Sequence, residues 1–136
     1  MKKYLFDTQI LLWIFQEPEK LSPTVKSIIE NDRDYFAYSI TSLEEISIKS
    51  SIGKLDLHGY SPEDVRLCAV KSDFDELITS GDLVSSLYRL PKKSDHRDPF
   101  DRLLIWQAIK EGLVLISGDK KFKQYESDGL RLLQNK

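Results

Sequence analysis

The sequence predicts an α/β fold, with a mostly parallel sheet of about five strands and helices on both of its faces. Two observations carry this. Short apolar stretches alternate along the chain with segments of helical length and pattern, the order that builds parallel crossover units. One of them, LVLIS at 113–117, is a continuous apolar run of the kind needed by a strand covered on both sides.

Taken in order, KYLF (3–6) reads as the first strand and DTQILLWIF behind it as a buried helix. Ser22-Pro23 opens a helix over 21–31 as a cap followed by first-turn proline, with Val25, Ile28 and Ile29 facing inward. YFAYS (35–39) is strand-like and runs into a helix over 41–53, which carries Ile46, Ile48 and Ile52 and which Gly53 ends. A capped helix over 61–72 follows, then FDELI (74–78), whose alternation suits a half-buried strand. GDLVSSLYRL (81–90) is helical up to Pro91, and 91–97 is the most loop-like stretch and a candidate for mobility. A helix from Asp98 closes at Gly112, LVLIS follows, a short helical turn comes after Asp119, and LRLL (130–133) supplies the last strand.

No repeat, low-complexity segment or linker divides the chain, so residues 1–136 are expected to form a single domain with an ordinary core. The lone cysteine, Cys68, excludes an internal disulfide and is expected to be a small core residue. No apolar run reaches the roughly 20 residues that span a bilayer. The N-terminus has lysines before an apolar stretch, but Asp7 and Gln9 interrupt it and no cleavage site follows, so a cytoplasmic protein without membrane contact is expected. A net charge of −2 gives no global attraction to nucleic acid. Local basic patches occur at Lys92, Lys93, Arg97 and Arg102, and at Lys120, Lys121 and Lys123, and gain interest only if they border a site.

The acids fall where strands hand over to helices. Asp7 follows the first strand, Glu45 is expected in the first turn after YFAYS, Asp98 and Asp101 open the helix ahead of LVLIS, and Asp119 follows that strand. Each has a plain alternative: Asp7, Asp98 and Asp119 as helix caps, Glu45 as partner of Ser42 in a capping box, and Asp101 as an acid in the first turn. In a parallel sheet these handovers lie along one edge, so several carboxylates should converge. Clustered carboxylates repel one another unless protonated or holding cations, and oxygen ligands of this kind suit Mg²⁺. His58 is expected at the surface, and His96 is expected in a loop bordering the acidic motif, within reach of a substrate phosphate. With no nucleophile elbow, glycine-rich phosphate loop or zinc spacing, the chemistry left is metal-assisted hydrolysis of a phosphate ester.

LFDTQILLW, SITSLEEISIKSSIGKLDL and HRDPFDRLLIWQAIKEGLVLISGDKKF resemble, in order and spacing, the PIN-domain ribonucleases of the VapC toxin type, over residues 3 to 133. The resemblance implies a PIN-like three-layer fold and an endoribonuclease that arrests translation, paired with an antitoxin and commonly a homodimer. It implies catalytic roles for Asp7, Glu45, Asp101 and Asp119 around one or two Mg²⁺ or Mn²⁺ ions, with Asp98 a frequent companion. Arg97, Arg102, Lys120 and His96 are the candidates for contact with RNA. Two departures stand out: Glu44 precedes Glu45 where relatives often carry Trp, and Trp106 replaces a residue usually small. Helical spacing favours Glu45 over Glu44 as the inward acid. Two other functions stay open at this point. One is a catalytically silent module that binds RNA or an antitoxin; the other is a phosphohydrolase using Asp7 as nucleophile with Lys120 nearby.

Overall fold

The computed structural model describes residues 1–136. Five strands, β1 (Lys3–Phe6), β2 (Tyr35–Ser39), β3 (Asp75–Leu77), β4 (Val114–Ser117) and β5 (Arg131–Gln134), form one sheet in the order β3-β2-β1-β4-β5. All four pairings are parallel, so the expected mostly parallel sheet is parallel throughout. From β1 the chain steps outward through β2 and β3, then returns to the far side of β1 for β4 and β5. That reversal opens a crevice beyond the carboxyl ends of β1 and β4, where open parallel sheets bind ligands.

Alternate side chains enter the two layers, as the pleat requires. Tyr4, Phe6, Phe36, Tyr38 and Ile116 pack on one face with α1 (Thr8–Gln16), α2 (Pro23–Ile29), α3 (Ile40–Ser51) and α4 (Pro62–Lys71), through residues such as Ile10, Val25, Ile46 and Val65. Leu5, Ala37 and Leu115 pack on the other with α5 (Gly81–Ser86), α6 (Pro99–Glu111) and a 3₁₀ segment over Lys120–Asp128, through Leu83, Ile105, Phe122 and Tyr125. Burying one such side chain contributes roughly 1.5–3 kcal/mol, so the layered core dominates stability.

Several local expectations are corrected. Cys68 is only half-buried, because Val65 and Ala69 carry the inner face of α4. The helix expected up to Pro91 ends at Ser86 and finishes as a 3₁₀ turn over Leu87–Arg89. The short turn after Asp119 is nine residues of 3₁₀ helix. Trp106 is accommodated by burial, with its indole N–H donating to Ser86 Oγ at 3.0 Å. The loop at 91–97 is tied down: Arg102 donates to the carbonyls of Leu90 (2.8 Å) and Pro91 (3.2 Å), and His96 bridges back to Lys93. No helix is long and apolar enough to cross a membrane.

Candidate metal centre

Register places the first acid. Phe6 pairs with Ile116, and the Asp7 N–H continues the ladder onto the Ile116 carbonyl at 2.9 Å. Asp7 therefore stands beside Ser117, whose hydroxyl donates to Asp7 Oδ2 at 2.8 Å and accepts the Asp119 N–H at 3.0 Å. Asp7 occupies the cap position of α1, yet its carboxylate makes no capping bond and is only 6% exposed. Asp119 does cap, accepting from the Lys121 N–H at 2.9 Å.

Glu45 sits in the second turn of α3, not the first. The helix starts directly where β2 stops, so Ser39 takes the cap by accepting from the Thr41 N–H, and the expected partnership with Ser42 does not form. Ser42 instead shares a 2.9 Å hydroxyl bond with Thr8, pinning α3 to the start of α1. Glu45 is buried and Glu44 exposed, so Glu45 is the inward acid. Lys49, one turn on, donates to Glu45 Oε2 at 2.5 Å, while Glu45 Oε1 is buried with no partner.

Asp98 caps α6, its Oδ1 accepting from the N–H groups of Phe100 (2.9 Å) and Asp101 (3.1 Å), with Pro99 at the first helical position. Asp101, one turn in, is turned toward the crevice. Its Oδ2 lies 3.3 Å from Nε2 of His96, a loop residue, as expected, that is buried. The imidazole packs edge-on against Phe122 and Tyr125, and its Nδ1 lies 2.7 Å from the Tyr125 hydroxyl. Arg102 also donates to that hydroxyl, at 3.2 Å. Arg97 and Lys120 are exposed, as is His58.

All five acids, Asp7, Glu45, Asp98, Asp101 and Asp119, line one cavity of about 430 Å³, shared with Lys49 and Lys54. Ligand atoms of Glu45, Asp98 and Asp101 lie within 4.8 Å of one another, as do those of His96, Asp101 and Asp119. Asp101 belongs to both groups; Asp7 lines the cavity outside them. Electrostatics report the crowding. Burial, then the charges of Asp7, Asp98, Glu45 and Asp119, push Asp101 up to about 8. Asp7 is pushed up to about 7 by burial, with Glu45 and Asp119 adding to it and the Ser117 bond opposing. Lys49 is raised by its bond to Glu45, and more weakly by the charges of Glu45, Asp98 and Asp101. Burial lowers His96, against the nearby charges of Asp119 and Asp98, which raise it.

The donor set fits a hard divalent cation. Its atoms are mostly carboxylate oxygens, one of them buried and unpartnered, and two of its acids are forced toward protonation by burial and one another's charge. Sequence reasoning missed Ser117 and Lys49. The latter left a signal, since residues four apart share a helix face; the former did not, because its partner lies 110 positions away.

A second cavity is lined by Lys92, Lys93, Ser94, His96, Arg97 and Arg102. His96 forms part of its wall and meets Asp101 of the acidic cavity.

Comparison with known proteins bears on the fold. The fold resembles that of chains in the VapBC2 complex of Rickettsia felis bound to a promoter DNA fragment (TM-score 0.68, 20% identity, 96% of this chain and 97% of the other). Similar likeness holds for VapBC-1 of nontypeable Haemophilus influenzae (0.62, 19%, 96% of each chain) and DNA-bound VapBC of Salmonella typhimurium (0.59, 20%, 98% of each). No curated protein matches the sequence. The model of the PIN domain family matches residues 4–127, nearly the whole length, and the chain belongs to that family.

Proposed function

We propose that this protein is a metal-dependent endoribonuclease, the toxin of a type II toxin–antitoxin pair. The observation that carries the chemistry is the convergence of five acids, from the ends of β1 and β4, the second turn of α3 and the start of α6, on one cavity, with Glu45 Oε1 buried and unpartnered. Glu45, Asp98 and Asp101 would hold Mg²⁺ or Mn²⁺, with Asp7 and Asp119 completing the negative wall. A cation bound there supplies an activated water and positive charge against the leaving oxygen. Asp7, fixed by Ser117, and Asp101, fixed on the first turn of α6, keep the acidic wall rigid. Arg97, Arg102, Lys120 and the wall formed by His96 face the RNA backbone beside the acids.

The antitoxin partner is supported by the solved relatives, which are VapBC complexes, two of them bound to DNA. An antitoxin would cover the acidic cavity and carry the pair to its own promoter, and the toxin would act as a homodimer in the cytoplasm, where its RNA is. Cleavage of an RNA panel with Mg²⁺, with Mn²⁺ and with EDTA tests the chemistry. Metal-dependent cleavage that Asp101→Ala abolishes is the expected result; activity surviving in EDTA, or in the Asp7→Ala/Asp101→Ala double variant, refutes it.

A further inference from the structure

We propose that the basic cavity is a subsite for a second phosphate of single-stranded RNA, adjacent to the phosphate presented to the acids; the proposal rests on the ribonuclease reading above. The cavity, about 640 Å³, has no carboxylate and no apolar side chain in its lining. His96 lines it, and the Nε2 of the same imidazole stands 3.3 Å from Asp101 of the acidic cavity. A strand with one phosphate among the acids would meet these cations on the far side of His96. The net charge of −2 offers no general attraction, so local cations must supply it.

The cations divide into fixed and mobile. Arg102 is half-buried and held by the Leu90 and Pro91 carbonyls and the Tyr125 hydroxyl, all neutral, and it has no carboxylate within ion-pair distance. Its charge is unanswered and its planar donors are held in place, the arrangement that suits a phosphate oxygen. Lys93 is also held: its Nζ lies 2.8 Å from Asp128 Oδ2, an electrostatic contact without hydrogen-bond alignment, and 5.3 Å from the Tyr125 ring centre. Lys92 and Arg97 are exposed and form no ion pair, free to close on an incoming strand. The fixed cation sets the position and the mobile ones add affinity.

The test uses the full chain, a fluorescein-labelled single-stranded RNA and the Lys92→Ala/Arg97→Ala variant. Both residues are exposed, and Arg102 is left alone because its removal would strand two carbonyls. Anisotropy in EDTA reads binding without cleavage. The expected result is roughly tenfold weaker binding, with the slope of log affinity against log salt flattened by about 0.7 for each phosphate that the variant no longer neutralises. In Mg²⁺ the effect should fall on KM more than on kcat. Equal affinity and equal salt slope in variant and wild type would overturn the subsite. Wild type that binds RNA but leaves it intact in Mg²⁺ and Mn²⁺, while the variant binds more weakly, overturns the ribonuclease reading and keeps the subsite. Wild type that binds no RNA overturns both.

Discussion

Ser117 holds Asp7 across the break in strand order, its hydroxyl donating to Asp7 Oδ2 at 2.8 Å from the end of the neighbouring strand. The same hydroxyl oxygen receives the Asp119 N–H, so one buried group sets the spacing of two acids. Ser117→Ala leaves the Asp119 N–H and the Asp7 carboxylate each short of a partner. It should cost about 1–2 kcal/mol in urea unfolding. Because the Ser117 bond holds Asp7 down against burial, its removal should also move the alkaline-going rise of RNA cleavage to higher pH. A pH–rate profile identical to wild type would show that this bond does not tune Asp7.

Asp7 and Asp101 give the metal-free protein an unusual pH response. Both are raised from 3.8, to about 7 and about 8, so the folded state binds more protons than the unfolded one between those limits. Their contribution to stability is fully present below about pH 4 and is lost as pH rises through 7 to 8. In EDTA, Asp7→Asn or Asp101→Asn should therefore raise the melting temperature at pH 8, by roughly 1–3 kcal/mol of stability, and matter little at pH 4. Mg²⁺ must displace the same protons, so its stabilising effect should grow from pH 6 to pH 8. A thermal-shift grid over pH, with and without Mg²⁺, reads both trends.

Much of this was legible in the sequence, for definite reasons. LVLIS and KYLF are apolar without alternation because both lie between helical layers, and the inward choice of Glu45 over Glu44 follows from helical spacing. The acids at strand ends were found because parallel topology gathers such ends at one edge. What stayed hidden depended on tertiary pairing. His96 was placed in a loop, but its burial went unseen because Tyr125, which packs on it, is 29 positions away. The cap of α3 was misplaced because β2 passes into the helix without a loop, leaving Ser39 to serve as both strand end and cap. Arg102 looked like a surface charge, yet much of its donor capacity is spent bracing its own loop.

Asp98 serves α6 as a cap through one oxygen, and lies close enough to Glu45 and Asp101 to share a cation through its carboxylate. The two roles separate by substitution. Asn caps as well as Asp but carries no charge, whereas Ala loses the cap as well. Asp98→Asn should keep stability within about 0.5 kcal/mol and raise the Mg²⁺ concentration needed for cleavage several-fold; Asp98→Ala should lose about 1 kcal/mol besides. Equal metal dependence in wild type and Asp98→Asn would confine Asp98 to capping.

Lys49 occupies one oxygen of Glu45, an acid proposed to hold the cation. Its ammonium sits 2.5 Å from Oε2, and the glutamate side chain is 8% exposed against 36% for the lysine. Replacing Lys49 with Gln leaves a buried carboxylate facing four other acids without its nearest positive charge. The metal-free protein should lose about 1–2 kcal/mol, less than for a fully buried pair because water already screens the lysine. With Mg²⁺ the deficit should shrink, since the ion then answers the charge that Lys49 had answered, and the thermal shift produced by Mg²⁺ should exceed that of wild type. The relevant comparison is melting in EDTA and in saturating Mg²⁺ for both proteins. If the variant gains no more from Mg²⁺ than wild type does, Glu45 lies outside the reach of the bound ion, and the acidic wall would be left to Asp7, Asp98, Asp101 and Asp119.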